Sequence, residues 1–103
     1  MFSGNNAAKF EDYALATSDE NPFVKVFPNP ASDILNIAMN LQKDFNGMIL
    51  FTDATGRLVR SMNVNRQAGN YTDGIDLGGL APGMYILQMQ DADFRFTERI
   101  IIE

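Results

Sequence analysis

The chain has 103 residues, of which 46% are hydrophobic and 11% aromatic, so it holds one domain at most and is apolar enough to build a core. Eight basic against 13 acidic residues give a net charge of −5, which argues against nucleic acid and anionic membranes as partners. Cysteine and histidine are absent, so disulfides are excluded and the usual general base is missing. No apolar stretch approaches the roughly 20 residues of a membrane helix, and we expect no direct membrane insertion.

The first 22 residues differ in composition from the rest of the chain. Small and polar residues dominate there, Lys9 stands among four acidic residues, and the apolar side chains are too widely spaced to form a persistent face. We predict a flexible linker over residues 1–22, with at most a marginal helical turn at residues 9–16, and a folded domain over residues 23–103.

Within that domain, apolar residues recur at every second position, which is the period of a β-strand. The pattern runs through FVKVF, ILNIAMN, GMILFTD, RLVRSMNVN, YTDGID, MYILQMQ and FRFTERIIIE. A tight hairpin is predicted at Asp53 to Gly56, where glycine supplies the positive φ. About seven short strands with no helical stretch between them predict an antiparallel all-β sandwich or barrel. A parallel α/β fold is excluded because no connection is long enough to cross over.

The stretch VFPNPASDILNI breaks an apolar run with Pro28 and Pro30. Each proline lacks a backbone donor and holds the preceding residue extended, so neither belongs in a central ladder. We expect the chain to run along a sheet rim, jog, and find a pairing partner only from Ile34. The prolines would blunt the edge of the first strand; a plain kink that closes the sandwich is the alternative.

The last strand has one polar face and one apolar face. Its predicted outer side chains are Arg95, Thr97, Arg99 and Ile101. Glu98 falls on the apolar side, so we expect a bulge there or a position at the rim. Ile101 is then a large apolar group on the outside, beside Arg99 and Glu103. These charges either guard an aggregation-prone Ile-Ile-Ile run or belong to a docking surface.

Four segments in order, VFPNPASDILNI, ILFTDATGRLVRS, IDLGGLAPGMYILQM and TERIII, resemble the type A C-terminal sorting domain of the type IX (Por) secretion system of Bacteroidetes. The resemblance covers residues 26–102, and the order and spacing of the segments are more specific than any one of them. The matching positions, in chain order, are Pro28, Asn29, Pro30, Ala31, Asp33, Asp53, Gly56, Arg57, Val59, Leu80, Gly83, Tyr85, Ile86, Leu87, Thr97, Arg99 and Ile100. Arg99 stands where the family more often has lysine.

The resemblance implies an immunoglobulin-like β-sandwich that acts as a non-catalytic, folded secretion signal without a cofactor or metal. The domain would follow a covalently fused N-terminal cargo, pass through the periplasm and be recognised by the outer-membrane secretion machinery. A sortase-like peptidase would then remove it, with the cargo anchored at the cell surface or released. The cut would fall in the linker, between Asn5 and Asn21, and the sorting domain would end its precursor.

A signal that works as a fold must present a surface to its receptor. We take the outer face of the last strand, with Arg95, Thr97, Arg99 and Ile101, as the recognition candidate. β-Strand addition at an exposed edge is one physical route to such recognition.

Two further interpretations stay open. The chain could be an accessory spacer or carbohydrate-binding module of a secreted enzyme, although sugars usually stack on exposed aromatic rings and the domain has no tryptophan and two tyrosines, Tyr71 and Tyr85.

We expect Tyr85 in the core with its hydroxyl at the rim, and Gly56 and Gly83 at positions that need unusual backbone angles.

The carboxylate pairs of the domain fall in predicted turns. They are Asp73 with Asp76, and Asp91 with Asp93. Aspartate is common in turns because its side chain bonds to nearby backbone, so plain turns are the first interpretation and a weak Ca²⁺ site is the second.

Overall fold

The structure, a computed structural model, describes residues 22–103, which form seven strands in two antiparallel sheets. The strands are β1 (Phe23–Phe27), β2 (Ile34–Leu41), β3 (Phe45–Asp53), β4 (Leu58–Arg66), β5 (Gly69–Asp76), β6 (Gly83–Gln90) and β7 (Arg95–Ile102). The predicted all-β sandwich is confirmed. Across these residues the structure contains no helix of the length and apolarity needed to cross a membrane. The predicted linker and its cleavage region lie outside the described residues, apart from Pro22.

One sheet has the strand order β1-β2-β5, and the other has the order β4-β3-β6-β7. Three pairs of consecutive strands, β1 with β2, β3 with β4, and β6 with β7, are antiparallel neighbours within a sheet. The connections from β2 to β3, β4 to β5 and β5 to β6 pass from one sheet to the other. As a result, β4 and β7 form the two edges of the larger sheet.

The core lies between the sheets and follows from the alternation of side chains along each strand. Leu35 and Ile37 on β2 and Leu87 and Met89 on β6 belong to one core cluster, and all four are almost fully buried. Burial of side chains of this size stabilises the fold by about 1.5–3 kcal/mol each. The period-two alternation predicted for these two strands is therefore confirmed by their alternating burial.

The hairpin between β3 and β4 turns where the sequence predicted. Gly56 has a φ of 91°, and its N–H donates to the carbonyl of Asp53 over 3.0 Å. The Asp53 carboxylate accepts hydrogen bonds from the Thr55 hydroxyl and the Arg57 N–H. These bonds favour its charged form and lower the pKa of Asp53 below its ordinary value.

Two arginines on β4 join the sheets. Arg66 holds the carboxylate of Asp73 on β5 through two hydrogen bonds of 2.6 and 2.8 Å, and this contact raises the pKa of the Arg66 guanidinium. Arg60 donates to the backbone carbonyls of Asp76 and Gly78 over 3.0 and 2.8 Å. The edge of the larger sheet is thereby tied to β5 of the smaller one.

The expectation that pairing begins only at Ile34 is wrong. β1 already pairs with β2 along its whole length, from Phe23 opposite Asn40 to Phe27 opposite Asn36. The prolines lie after this pairing, because β1 ends at Phe27. The first strand is nevertheless at a rim, since β2 is its one neighbour in the sheet.

Candidate functional site

The segment after β1 crosses to the larger sheet and lies along the edge of β7. Asn29 makes two side-chain hydrogen bonds there: Nδ2 donates to the carbonyl of Arg99, and Oδ1 accepts from the N–H of Ile101, each over 3.0 Å. A carboxamide offers N–H donors and a carbonyl acceptor, as a peptide group does. Asn29 therefore pairs with the edge of β7 in the manner of a strand residue.

Ala31 extends this pairing with its own backbone. Its N–H donates to the carbonyl of Ile101 over 2.8 Å, and its carbonyl accepts from the N–H of Glu103 over 2.9 Å. Ala31 and Ile102 form a parallel bridge, and both side chains are buried. Residues 29–31 thus cover the second half of the β7 edge. We call residues 28–31 the proline latch.

The latch corrects the role expected for the prolines. Pro28 and Pro30 do not blunt the edge of β1, because they lie beyond it; the segment they delimit covers the edge of β7. Both of their preceding peptide bonds are cis. Proline supplies no N–H, so the donors on this edge come from Asn29 and Ala31. The same segment therefore both kinks the chain and protects an edge, and the edge that it protects is that of β7.

The outer face of β7 is as predicted. Arg95, Thr97, Arg99 and Ile101 are exposed, whereas Ile100 and Ile102 are buried. Ile101 is 38% exposed, which is large for an isoleucine in the middle of an apolar run. The four recognition candidates therefore share one accessible surface, which we call the β7 face.

Glu98 occupies the inward side of β7 without a bulge. The β6–β7 register runs unbroken, from Gly83 opposite Ile102 to Gln90 opposite Arg95. The expected bulge is therefore wrong. Glu98 is half-buried on an edge strand, so the rim position, the other expectation, accounts for it.

Apolar neighbours on the adjoining strands enlarge the β7 face. Met84 lies opposite Ile101 and is 37% exposed, and Ile86 lies opposite Arg99. On β3, Thr52 lies between Ile86 of β6 and Leu58 of β4 and is the register partner of both. Leu58 is 51% exposed. The alternation along β6 puts Met84 and Ile86 on the side opposite Tyr85, but sequence reasoning did not assign them to a site. The missing information was the strand order, which brings β6 beside β7 and β3 beside β6.

The five arginines of residues 22–103 fall into two groups. Arg57, Arg60 and Arg66 bind a carboxylate or backbone carbonyls. In this part of the chain, the guanidinium groups of Arg95 and Arg99 make no ion pair or hydrogen bond. The β7 face therefore carries two positive charges that have no ion-pair partner among residues 22–103, next to the exposed side chains of Ile101 and Met84.

The segments that build the latch and the β7 face lie within one recognised family pattern. The family described as "Secretion system C-terminal sorting domain" matches residues 25–103. The chain belongs to this family. The sorting domain is thus a type IX secretion signal that acts with the secretion machinery, and its cargo is secreted, at the cell surface or extracellular. The family is not a known catalytic one. A search among curated proteins found no match.

The remaining motif residues of the sorting domain shape its backbone and core. Tyr85 is buried in the core, as predicted. Its ring stacks on that of Phe51 with 5.2 Å between the ring centroids, and its hydroxyl donates to the carbonyl of Ala81 over 2.6 Å. Gly83 has a φ of 152°, a conformation that side chains disfavour. The carbonyl of Asp33 accepts the N–H of Leu77, and half-buried Leu80 packs against the core.

The carboxylate pairs of the sorting domain bind neighbouring groups. The carboxylate of Asp73 is held by Arg66, and that of Asp76 accepts the N–H of Gly78. Asp91 accepts the N–H of Asp93 over 2.8 Å. Asp73 and Asp76 lie within β5, so the turn predicted for this pair is wrong, because the strand runs on to Asp76. Asp91 and Asp93 lie between β6 and β7, where a turn was expected. Within residues 22–103 no three His, Cys, Asp or Glu side chains cluster as a metal site would require.

Proposed function

We propose that the type IX machinery recognises the sorting domain at the β7 face, in the conformation held by the proline latch. The observation that carries this proposal is the contact between Asn29 and β7. Asn29 lies 70 residues before Arg99 and 72 residues before Ile101 in the chain, so this contact joins two distant motifs. A surface built this way exists in the folded domain and not in an extended peptide.

The chemistry of the β7 face supports binding. Ile101 and Met84 expose apolar area that a partner could cover, at about 25 cal/mol for each Å² removed from water. Arg95 and Arg99 add charges that direct the approach of an acidic partner. Exposed apolar groups rimmed by charge are typical of protein-binding surfaces.

The finer course of secretion belongs to the same proposal. Residues 1–22 serve as the linker between a fused cargo and the domain of residues 23–103, and they contain the site cut by a sortase-like peptidase. The domain passes through the periplasm and binds the outer-membrane machinery without inserting into the membrane. The cargo is then anchored at the cell surface or released. The domain acts by binding alone and takes no cofactor.

The competing carbohydrate-binding function receives little support from the tyrosines. Tyr85 is buried, and Tyr71 has the Arg66 guanidinium 4.8 Å from its ring centre and donates its hydroxyl to the carbonyl of Gln67. The buried ring of Tyr85 is closed to a sugar, and the Arg66 guanidinium occupies one face of the Tyr71 ring. Among residues 22–103 the most exposed aromatic ring is that of Phe23, which lies on β1 in the same sheet as Tyr71 and not in the sheet that carries the β7 face.

A secretion assay tests the recognition surface. Residues 1–103 are fused behind a reporter in a type IX host, and the exported fraction is measured for the double variant Arg99→Ala/Ile101→Ala. We expect export to fall at least tenfold. The matched control Ile34→Ala/Arg57→Ala removes the same two side-chain types from exposed positions elsewhere and should export normally. Normal export of a folded Arg99→Ala/Ile101→Ala domain would show that this surface is not the signal.

A further inference from the structure

The proline latch leaves the first half of the β7 edge open. Along an antiparallel strand, the backbone groups of alternate residues point to opposite sides. The backbone N–H and carbonyl of Ile101 and the N–H of Glu103 point away from β6 and bond to the latch. The carbonyl of Phe94 points the opposite way, because it accepts the N–H of Asp91 at the end of β6. The odd-numbered residues of β7 therefore point outward.

Five outward backbone groups lie ahead of the latch. They are the N–H and carbonyl of Arg95, the N–H and carbonyl of Thr97, and the N–H of Arg99. None of them pairs with another backbone group in the part of the chain that the structure describes. The carbonyl of Arg99 is already taken by Asn29. The open edge therefore ends where the latch begins, and a strand added there would continue the line of the latch.

The charges beside this open edge select what could pair with it. Arg95 and Arg99 lie on the same face four residues apart, about 13 Å at roughly 3.3 Å per residue, and their guanidinium groups are uncommitted among the described residues. Side chains on adjacent strands approach to about 5 Å. An added strand would thus place its own side chains next to both arginines.

We propose that an extended segment of the secretion machinery adds to the open edge of β7 as a further strand. Its acidic side chains lie beside Arg95 and Arg99, and a shorter polar side chain lies between them, beside Thr97. The inference rests on the proposed function and deepens it, because it names the chemistry of the partner: two acidic residues four positions apart in a β-strand.

The opposite edge of the same sheet does not offer this combination. By the same alternation the N–H of Asn63 on β4 points away from β3. The side chains on the outer face of that edge are Ser61, Asn63 and Asn65, which are uncharged, and Arg60 and Arg66 are turned to the other sheet. An acidic strand would find backbone donors there but no cations.

Proline substitution tests strand addition directly. Thr97→Pro removes the central N–H of the open edge, and proline is tolerated on an edge strand when its nitrogen faces solvent. In the export assay we expect Thr97→Pro to lower export at least tenfold, with a thermal midpoint close to that of the wild type. Thr97→Val changes the same side chain but keeps the N–H, so export of Thr97→Pro should be at least tenfold below that of Thr97→Val. Asn63→Pro makes the matched change on the opposite edge and should export normally.

A charge test completes the design. Arg95→Glu/Arg99→Glu should lower export more than Arg95→Gln/Arg99→Gln does, because an acidic strand is then repelled. If Thr97→Pro fails to fold, Arg95→Pro at the first residue of β7 replaces it. It is compared with Arg95→Ala, which loses the same charge but keeps the N–H, and strand addition predicts lower export for Arg95→Pro than for Arg95→Ala; equal export of the two overturns it. Normal export of a folded proline variant overturns strand addition. If Arg99→Ala/Ile101→Ala still blocks export in that case, the β7 face remains the signal and the failure concerns the edge alone.

Discussion

Asn29 is the residue on which the candidate surface depends most. Its carboxamide satisfies one donor and one acceptor of the β7 edge that would otherwise face water. The flanking prolines cannot donate, so the side chain does what the local backbone cannot. The same two contacts hold Arg99 and Ile101, two of the recognition candidates, in place.

Removal of this side chain should loosen the end of β7. We expect Asn29→Ala to lower the free energy of unfolding by about 1–2 kcal/mol, because two hydrogen bonds of about 0.5–1.5 kcal/mol each are lost. The measurement is the urea midpoint at unchanged slope. Asn63→Ala removes an exposed asparagine from β4 and should stay within about 0.5 kcal/mol. Equal midpoints for the two variants would contradict the role given to Asn29.

At the residue scale, local chemistry was predictable and distant pairing was not. Gly56 and Tyr85 were placed correctly because a tight turn and an alternating strand constrain them within a few positions. The exposure of Ile101 followed from the period of the strand alone. The contact of Asn29 spans 70 residues, and no periodicity in the sequence encodes it.

At the scale of elements, β4 and β5 hold the two sheets together at one edge. Arg66 and Asp73 are joined by two parallel hydrogen bonds, and their side chains are 25% and 18% exposed. Arg57 and Asp53 also form an ion pair, but Arg57 is 77% exposed. Solvent screens an exposed pair much more than a shielded one.

A pair of double-mutant cycles should separate these two contacts. With alanine at each position, we expect a coupling free energy of about 1–2 kcal/mol for Arg66 with Asp73, and a smaller coupling for the more exposed pair Arg57 with Asp53. The quantities are the unfolding free energies of the wild type, the single variants and the double variants. Couplings of equal size would mean that Arg66 and Asp73 do not tie the sheets together.

The strands themselves were predictable, and their assembly was only partly so. Period-two alternation marked all seven strands, because one face of each is buried. The order β4-β3-β6-β7 was not accessible, since alternation shows which face of a strand is inward but not which strand lies beside it. For that reason Met84 and Leu58 were not recognised as neighbours of the β7 face.

At the scale of the whole molecule, the sorting domain uses its fold to bring distant motifs together. The latch follows β1 and the β7 face ends the fold, so the five strands from β2 to β6 lie between them in the chain. The surface they share exists when the sandwich is closed. The proposed signal is therefore conformational, and residues 94–103 alone should not carry it.

The most direct measurement compares export of a folded and an unfolded domain with identical surface residues. Phe51 is fully buried, so Phe51→Asp places a charge in the core and should unfold the sandwich, whereas Phe51→Leu should leave it folded. Neither variant changes the latch or β7. With export normalised to the reporter synthesised, we predict that Phe51→Leu is exported like the wild type and that Phe51→Asp falls to background. Export of an unfolded Phe51→Asp domain at the wild-type level would contradict a signal made by the fold.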